Sequence, residues 1–270
     1  MSESPFDLEG RTIIMTGGAG VLGRVYAKSL VRAGASVVIA DINLAEARAV
    51  AQTLSSAEAF PLFLDVTDPG SVDFMVSEIV GRFGKIDGLV NNAALDPKFD
   101  PSHAGTHTVA FEHFPLDVWN RELSVNLTGA FLCAQRVGRA MRGQGRGTIV
   151  NISSIYGLVG PDQRLYQEPG RAPSKIKPVS YSVSKSGLHG LTRYLASYWA
   201  GTGIRINTLV LGGVDDGHDP GFVERYGARN PMGRMASAQE YCGALMFLLS
   251  DASSYMTGAD LVVDGGWTAW

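Results

Sequence analysis

The 270-residue chain is predicted to fold as an open, doubly wound α/β sheet, with about seven parallel strands and helices on both faces. Three observations lead there. Short β-branched runs alternate with longer amphipathic stretches, the pattern of repeated βαβ units. The 33 glycines are scattered without a period, which suits many tight strand-to-helix turns better than a fibre or a linker. Hydrophobic residues make up 45% of the chain, enough to fill a core, yet no apolar run reaches the ~18 residues of a membrane span.

The elements follow in order. Thr12 to Thr16 (TIIMT) reads as the first strand and Val21 to Arg32 as the first helix. Ser36 to Ala40 is the second strand, followed by an Ala-rich helix from Leu44 to Leu54. Ala59 to Leu64, a helix from Ser71 to Phe83 and the strand Gly88 to Asn91 complete the first half. One long helix is expected from Leu116 to Met141, then the strand Gly147 to Ser153. A helix from Tyr181 to Ala200 carries Leu188, Leu191 and Leu195 on one face. The strand Arg205 to Val210, the helix Ala238 to Leu249 and the strand Ala259 to Val263 close the chain. No linker separates two cores, so residues 1–270 read as one domain. Its long loops fall near 96–115, 160–178 and 215–235, and loops on a rigid α/β sheet usually carry function.

Composition excludes several classes. A net charge of −3 and 18% charged residues offer nothing to a polyanion, so nucleic acid is not expected as a partner. Met1 to Arg11 has neither a basic n-region nor an apolar h-region, so a cytoplasmic chain without a membrane anchor is expected. Cys133 and Cys242 have no paired spacing and read as buried thiols. His103, His107 and His113 lie close together but form no metal pattern, and no metal site is expected.

After the first strand the chain reads Thr16-Gly17-Gly18-Ala19-Gly20-Val21-Leu22-Gly23. Gly18, Gly20 and Gly23 match GxGxxG between a strand and a helix, the context in which the pattern means dinucleotide binding. Without Cβ atoms the loop lets a pyrophosphate reach the helix N-terminus, where free N–H groups favour an anion. Gly17, Gly18, Gly20, Leu22 and Gly23 are the expected cradle of a Rossmann-type site. Asp41 ends the second strand, 18 residues after Gly23. A carboxylate there accepts from the adenosine ribose hydroxyls and repels a 2′-phosphate, and Ile42 rather than a basic residue follows it, so NAD is the expected cofactor. Asp41 could also cap the next helix. Asp65 and Val66 end the third strand where adenine is expected; Asp65 reads equally well as a turn carboxylate.

Of nine tyrosines only Tyr181 has a lysine four residues on, Lys185. Residues i and i+4 are helix neighbours, so this spacing alone is an ordinary helix face. Its company gives it weight: Ser154 closes GTIVNISS, Asn126 lies in VNLTGAF, and Asn91-Asn92-Ala93-Ala94 follows the fourth strand. A phenol can donate the proton that ketone reduction needs, and a neighbouring ammonium would bring its pKa from about 10 toward neutrality. Ser154 can hydrogen-bond the substrate oxygen where charge develops.

With these motifs in this order, from Gly10 to the terminal VVDGGW, the chain resembles the single-domain branch of the short-chain dehydrogenase/reductase family. The resemblance implies Asn126, Ser154, Tyr181 and Lys185 as the catalytic set. It places Asn92, Tyr181, Lys185 and the backbone of Val214 at the cofactor, gives Asn126 a water that joins Lys185 to solvent, and implies a homo-oligomer, dimer or tetramer. The chain departs from the pattern at Val21, Ala94, Leu211 and Asp216, which stand where Gly, Gly, Pro and Thr are usual. Ser154 and Tyr181 are 27 residues apart, about twice the usual gap in that resemblance. The extra loop carries Arg164, Arg171, Lys175 and Lys177, a pattern that points to a polar or anionic small-molecule substrate. TGGAGVLG, SSIYG and the terminal DGGW also resemble oxidoreductases of surface-sugar and flagellin modification. A 3-oxoacyl or simple secondary-alcohol reductase and a non-catalytic NAD-binding sensor are the alternatives.

Overall fold

The computed structural model describes residues 4–54, 58–96, 110–167 and 176–270. Seven strands form one parallel sheet in the order β3-β2-β1-β4-β5-β6-β7. They are β1 (Thr12–Thr16), β2 (Ser36–Asp41), β3 (Ala59–Phe63), β4 (Gly88–Asn91), β5 (Gly147–Ser154), β6 (Ile204–Leu211) and β7 (Asp260–Val263). The strands are hydrophobic runs because both faces are covered. Val37, Ile39, Val150 and Leu209 point into one core, and Ile14, Val38, Leu89 and Ile149 into the other.

The helices among the described residues are α1 (Val21–Arg32), α2 (Leu44–Gln52), α3 (Pro69–Phe83), α4 (Leu116–Leu123), α5 (Gly129–Gln144), α6 (Val179–Tyr198), α7 (Pro220–Arg229) and α8 (Cys242–Leu249). α3 starts two residues earlier than its predicted position because Asp68 caps it, accepting from Gly70 N and Ser71 N, with Pro69 in its first turn. The strand order reverses between β1 and β4, and the carboxyl ends of the strands there form the crevice in which such sheets bind ligands. No helix among the described residues is long and apolar enough to cross a membrane.

Two expectations need correction. The helix expected from Leu116 to Met141 runs continuously to Gln144 but contains a π-turn, Ser124–Thr128, that divides it into α4 and α5. Asn126 is buried in that turn, and its side chain clamps both main-chain polar groups of Leu95. The loop expected near 215–235 contains α7. Asp219 accepts from Phe222 N and Pro220 follows it, a start signal present in the sequence. Phe222 and Tyr226 then lie one turn apart and join a small third core with Leu165, Met235 and Trp267, where the Tyr226 and Trp267 rings stack at 4.3 Å. Arg225 Nε donates to Leu165 O at 3.0 Å and Arg229 pairs with Asp162. This core ties the C-terminal DGGW and the 162–166 turn to one side of the crevice.

Candidate active site

The crevice is a cavity of about 1060 Å³. One half is built by β1, α1 and β2. Gly17 takes φ +62°, and a Cβ there would lie 2.7 Å from Ala93 Cα. At Gly18 a Cβ would come within 2.8 Å of Ile39 Cγ2, and at Gly23 within 2.3 Å of Gly17 O. These two glycines let loop, strand and helix pack together; they do not line the cavity. Gly17, Gly20 and Leu22 do line it.

Helix α1 begins at Gly20 with no side-chain cap and no acid in its first turn. Helices α2 and α3, by contrast, are capped by Asn43 and Asp68. An uncapped N-terminus opening on a glycine-lined cavity is what an anion requires. Asp41 stands beside it, its carboxylate accepting from Ala19 N at 3.0 Å and Asn43 N at 2.9 Å. It does not cap α2, because Asn43 does. Asn92 Nδ2 donates to Thr16 O and Gly17 O, and Thr16 Oγ1 accepts from Asn92 N and Ala93 N, which binds the β4 loop to the glycine loop. Asp65 and Val66 also line the cavity, but Asp65 Oδ1 accepts from Thr67 N and Thr67 Oγ1, so it is a turn carboxylate as well. Together these residues fit a dinucleotide.

The other half holds the predicted reacting groups. Tyr181 and Lys185 lie one turn apart on α6, and Ser154, at the end of β5, lines the same cavity, its Oγ accepting from Tyr156 N at 3.2 Å. Lys185 Nζ donates to Ile152 O at 2.8 Å. Two rows of buried polar groups hold α6 in register on the sheet. Asn91 Nδ2 donates to Asn151 Oδ1, Asn151 Nδ2 to Thr192 Oγ1, and Thr192 meets Thr208 at 2.8 Å. One turn beyond Lys185, His189 meets Ser153 Oγ at 3.0 Å and Asp260 Oδ1 at 2.7 Å, while Ser153 Oγ donates to Lys185 O. His189→Leu would leave the buried Ser153 and the Asp260 carboxylate short of a partner. It should cost about 1–3 kcal/mol of stability in thermal unfolding; an unchanged melting temperature would remove this row from the account of α6.

Burial corrects the expected charge states. The Tyr181 hydroxyl is pushed up, not down, by burial and then by the Asp96 carboxylate, against the opposing bond from Ser154. The Lys185 ammonium is itself brought down to about 8 by burial, which Asp96 opposes and Lys177 reinforces. The Asn126 side chain is bound to Leu95 and to Ser184 Oγ.

Leu211, the last residue of β6, and Val214 and Asp216 beyond it line the cavity. Asp96, Tyr166, His218 and Phe222 also line it and were missed. The Tyr166 and Phe222 ring centroids lie 5.4 Å apart and those of His218 and Phe222 5.2 Å apart, an aromatic wall. The start signal of α7 was the available clue to Phe222; nothing local marks Asp96. Of the four basic loop residues, Arg164 is exposed and pairs with Asp162, and Lys177 is buried against Asp96. Arg171, Lys175, His103 and His107 lie outside the described residues.

This sheet and this site define a dehydrogenase of the Rossmann class. A family model described as enoyl-(acyl carrier protein) reductase matches residues 18–268, and the chain belongs to the short-chain dehydrogenase/reductase family. It is 37% identical over 267 residues to cis-4-hydroxycyclohexanecarboxylate dehydrogenase of Sinomonas cyclohexanicum, covering 96% of this chain and 97% of the relative. It is 34% identical to D-threitol dehydrogenase of Mycolicibacterium smegmatis, covering 97% and 95%. Among solved structures, a gluconate 5-dehydrogenase from Burkholderia cenocepacia in complex with NADP and tartrate superposes with a TM-score of 0.84 at 31% identity, over 98% of each chain. The protein is an oxidoreductase that interconverts a secondary alcohol and a ketone with a nicotinamide cofactor.

Proposed function

We propose that the protein acts on a polar, polyhydroxylated small molecule with NAD(H), and that Tyr181 moves the proton. The observation that carries this reading is the placement of Tyr181 and Lys185 one turn apart at the cavity, with Ser154 lining the same space. When bound, the nicotinamide supplies or accepts the hydride. Tyr181, held protonated by burial, gives its proton to the ketone oxygen as the alkoxide forms. Ser154 hydrogen-bonds that oxygen and orients it. Lys185 has two tasks: its ammonium favours the phenolate that remains, and it holds the nicotinamide ribose. Asn126 is a positioning residue, which fixes Leu95 and so the loop that leads to Asp96. In the oxidising direction the phenol must first lose its proton, which a cation brought beside it makes less costly.

NAD(H) over NADP(H) is supported by Asp41 and by the exposed Ile42 that follows it. Arg24, the nearest base, donates to Ala19 O and Gly20 O and is held against the loop. With any working alcohol, kcat/KM should be higher for NAD⁺ than for NADP⁺, and Asp41→Ala should narrow the difference by removing the repulsion. Equal or reversed values in the parent protein would refute the cofactor assignment.

A 3-oxoacyl substrate is disfavoured by the buried ion pair at the substrate end, which an acyl chain would seal away from water. The proposed working state is a cytoplasmic homo-oligomer. Exposed Phe131 on α5 and Val183, Tyr194 and Tyr198 on α6 support contact between copies. Light scattering after size exclusion should give a mass above that of one chain.

A further inference from the structure

We propose that the Lys177–Asp96 ion pair is a substrate subsite that reads a second, uncharged hydroxyl beside the reacting one, so that the preferred substrates are neutral diols or polyols. The inference deepens the alcohol–ketone reading above and rests on it.

Lys177 and Asp96 come together from segments 81 residues apart, with Nζ and Oδ1 at 2.8 Å. Both line the same cavity as Tyr181 and Ser154. The lysine side chain is 6% exposed and the aspartate 19%. The Lys177 backbone is held by both ends of one amide: its N–H donates to Gln163 Oε1 at 2.8 Å, and its carbonyl accepts from Gln163 Nε2 at 3.1 Å. The ammonium lies 3.8 Å from the centroid of the Tyr181 ring. It therefore rests against the ring that carries the reacting hydroxyl. The pair and that hydroxyl line one cavity, so a substituent beside the reacting carbon would meet the pair.

The chemistry of the pair selects what that substituent is. An ammonium has three protons and a carboxylate about four lone-pair sites, more than their contact with each other uses. A hydroxyl both donates and accepts, and it can meet Asp96 and Lys177 at once. A carboxylate can only accept. It meets Lys177 but also the negative oxygens of Asp96, and the pair has no net charge to attract it. A methylene offers neither and seals a charged pair away from water, the costly case for a buried polar group. Sites built to bond a hydroxyl reject the analogue that lacks it far more strongly than apolar pockets reject a methylene. The wall of Tyr166, Phe222 and His218 faces the same space and suits the carbon face of a ring.

The test compares cyclohexane-1,2-diol, cyclohexanol and 2-hydroxycyclohexanecarboxylate, each with NAD⁺ and with NADP⁺, on the full chain. The diol should exceed cyclohexanol in kcat/KM by at least about 10²-fold and should exceed the carboxylate. Asp96→Asn keeps the shape and leaves Lys177 with a net positive charge. It should raise the carboxylate relative to the diol at least tenfold. Lys177→Met combined with Asp96→Leu should lower the diol-to-cyclohexanol ratio at least tenfold. NADH fluorescence and thermal unfolding report that the variants are folded, and the wild-type ratio decides the question even if the double variant does not fold. A diol no better than cyclohexanol, or a carboxylate preferred by the parent protein, overturns the subsite while the alcohol–ketone reaction stands. A melting temperature that falls while every ratio stays constant overturns it too, and makes the pair a strut between two loops. No turnover of any alcohol with either cofactor is a different result, which overturns the reaction assignment and the subsite together.

Discussion

Tyr181→Phe should lower kcat/KM by at least about 10²-fold, the contribution expected of a positioned acid–base group. The substitution removes one hydroxyl and keeps the ring. The ring keeps its place against the Lys177 ammonium and in the packing around Tyr156 and Leu165. NADH binding, read by fluorescence, and the melting temperature should therefore change little. Ser154 remains, but a serine hydroxyl is a poor acid and cannot replace the phenol. Lys185→Met should also inactivate, with a raised KM for the cofactor, because the proposed mechanism gives the same ammonium two tasks, at the ribose and at the phenol. A titration gives a further check. Burial raises the Tyr181 pKa, and a raised acid pKa keeps the neutral form to higher pH. Without cofactor, the tyrosinate absorbance at pH 10, the ordinary tyrosine value, should not differ between the parent protein and Tyr181→Phe. A Phe variant with near-normal turnover would return Tyr181 and Lys185 to being two residues on one helix face.

The second large effect is expected at the glycine loop, where two neighbouring glycines should fail in different ways. In Gly23→Ala the new methyl would lie 2.3 Å from Gly17 O and 2.7 Å from Gly18 Cα. Main-chain atoms cannot swing aside, so the loop must part from α1, at a cost of about 1–3 kcal/mol for overpacking. Both the melting temperature and cofactor affinity should fall. At Gly20 the added methyl meets only Gly17 O, at 3.3 Å, and φ is −70°, which alanine adopts freely. Gly20 faces the cavity, so Gly20→Ala should leave the melting temperature nearly unchanged and weaken NADH binding at least tenfold, about 1.4 kcal/mol. Equal NADH affinity in the parent protein and Gly20→Ala would move the pyrophosphate away from α1.

Much of this molecule is written in short-range pattern. Strand and helix order follows from hydrophobic periodicity, and all seven strands and most helices stand within a few residues of their expected bounds. The glycine loop, Asp41 and the Tyr181–Lys185 spacing were legible because each depends on neighbours along the chain: a turn without side chains, a strand end, two residues one helical turn apart. Other features depend on what packing brings together. Asp96 meets Lys177 across 81 residues, and no local signal marks either as the other's partner. At the π-turn the Asn126 side chain meets a donor and an acceptor of Leu95, 31 residues away. The basic loop suggested a polar or anionic substrate, and of its four basic residues Arg164 and Lys177 each pair with an aspartate. The protonation of Tyr181 reversed its expected direction for the same reason. A neighbouring lysine can be counted in a sequence, but desolvation depends on everything that surrounds the group, and that is decided only by the fold.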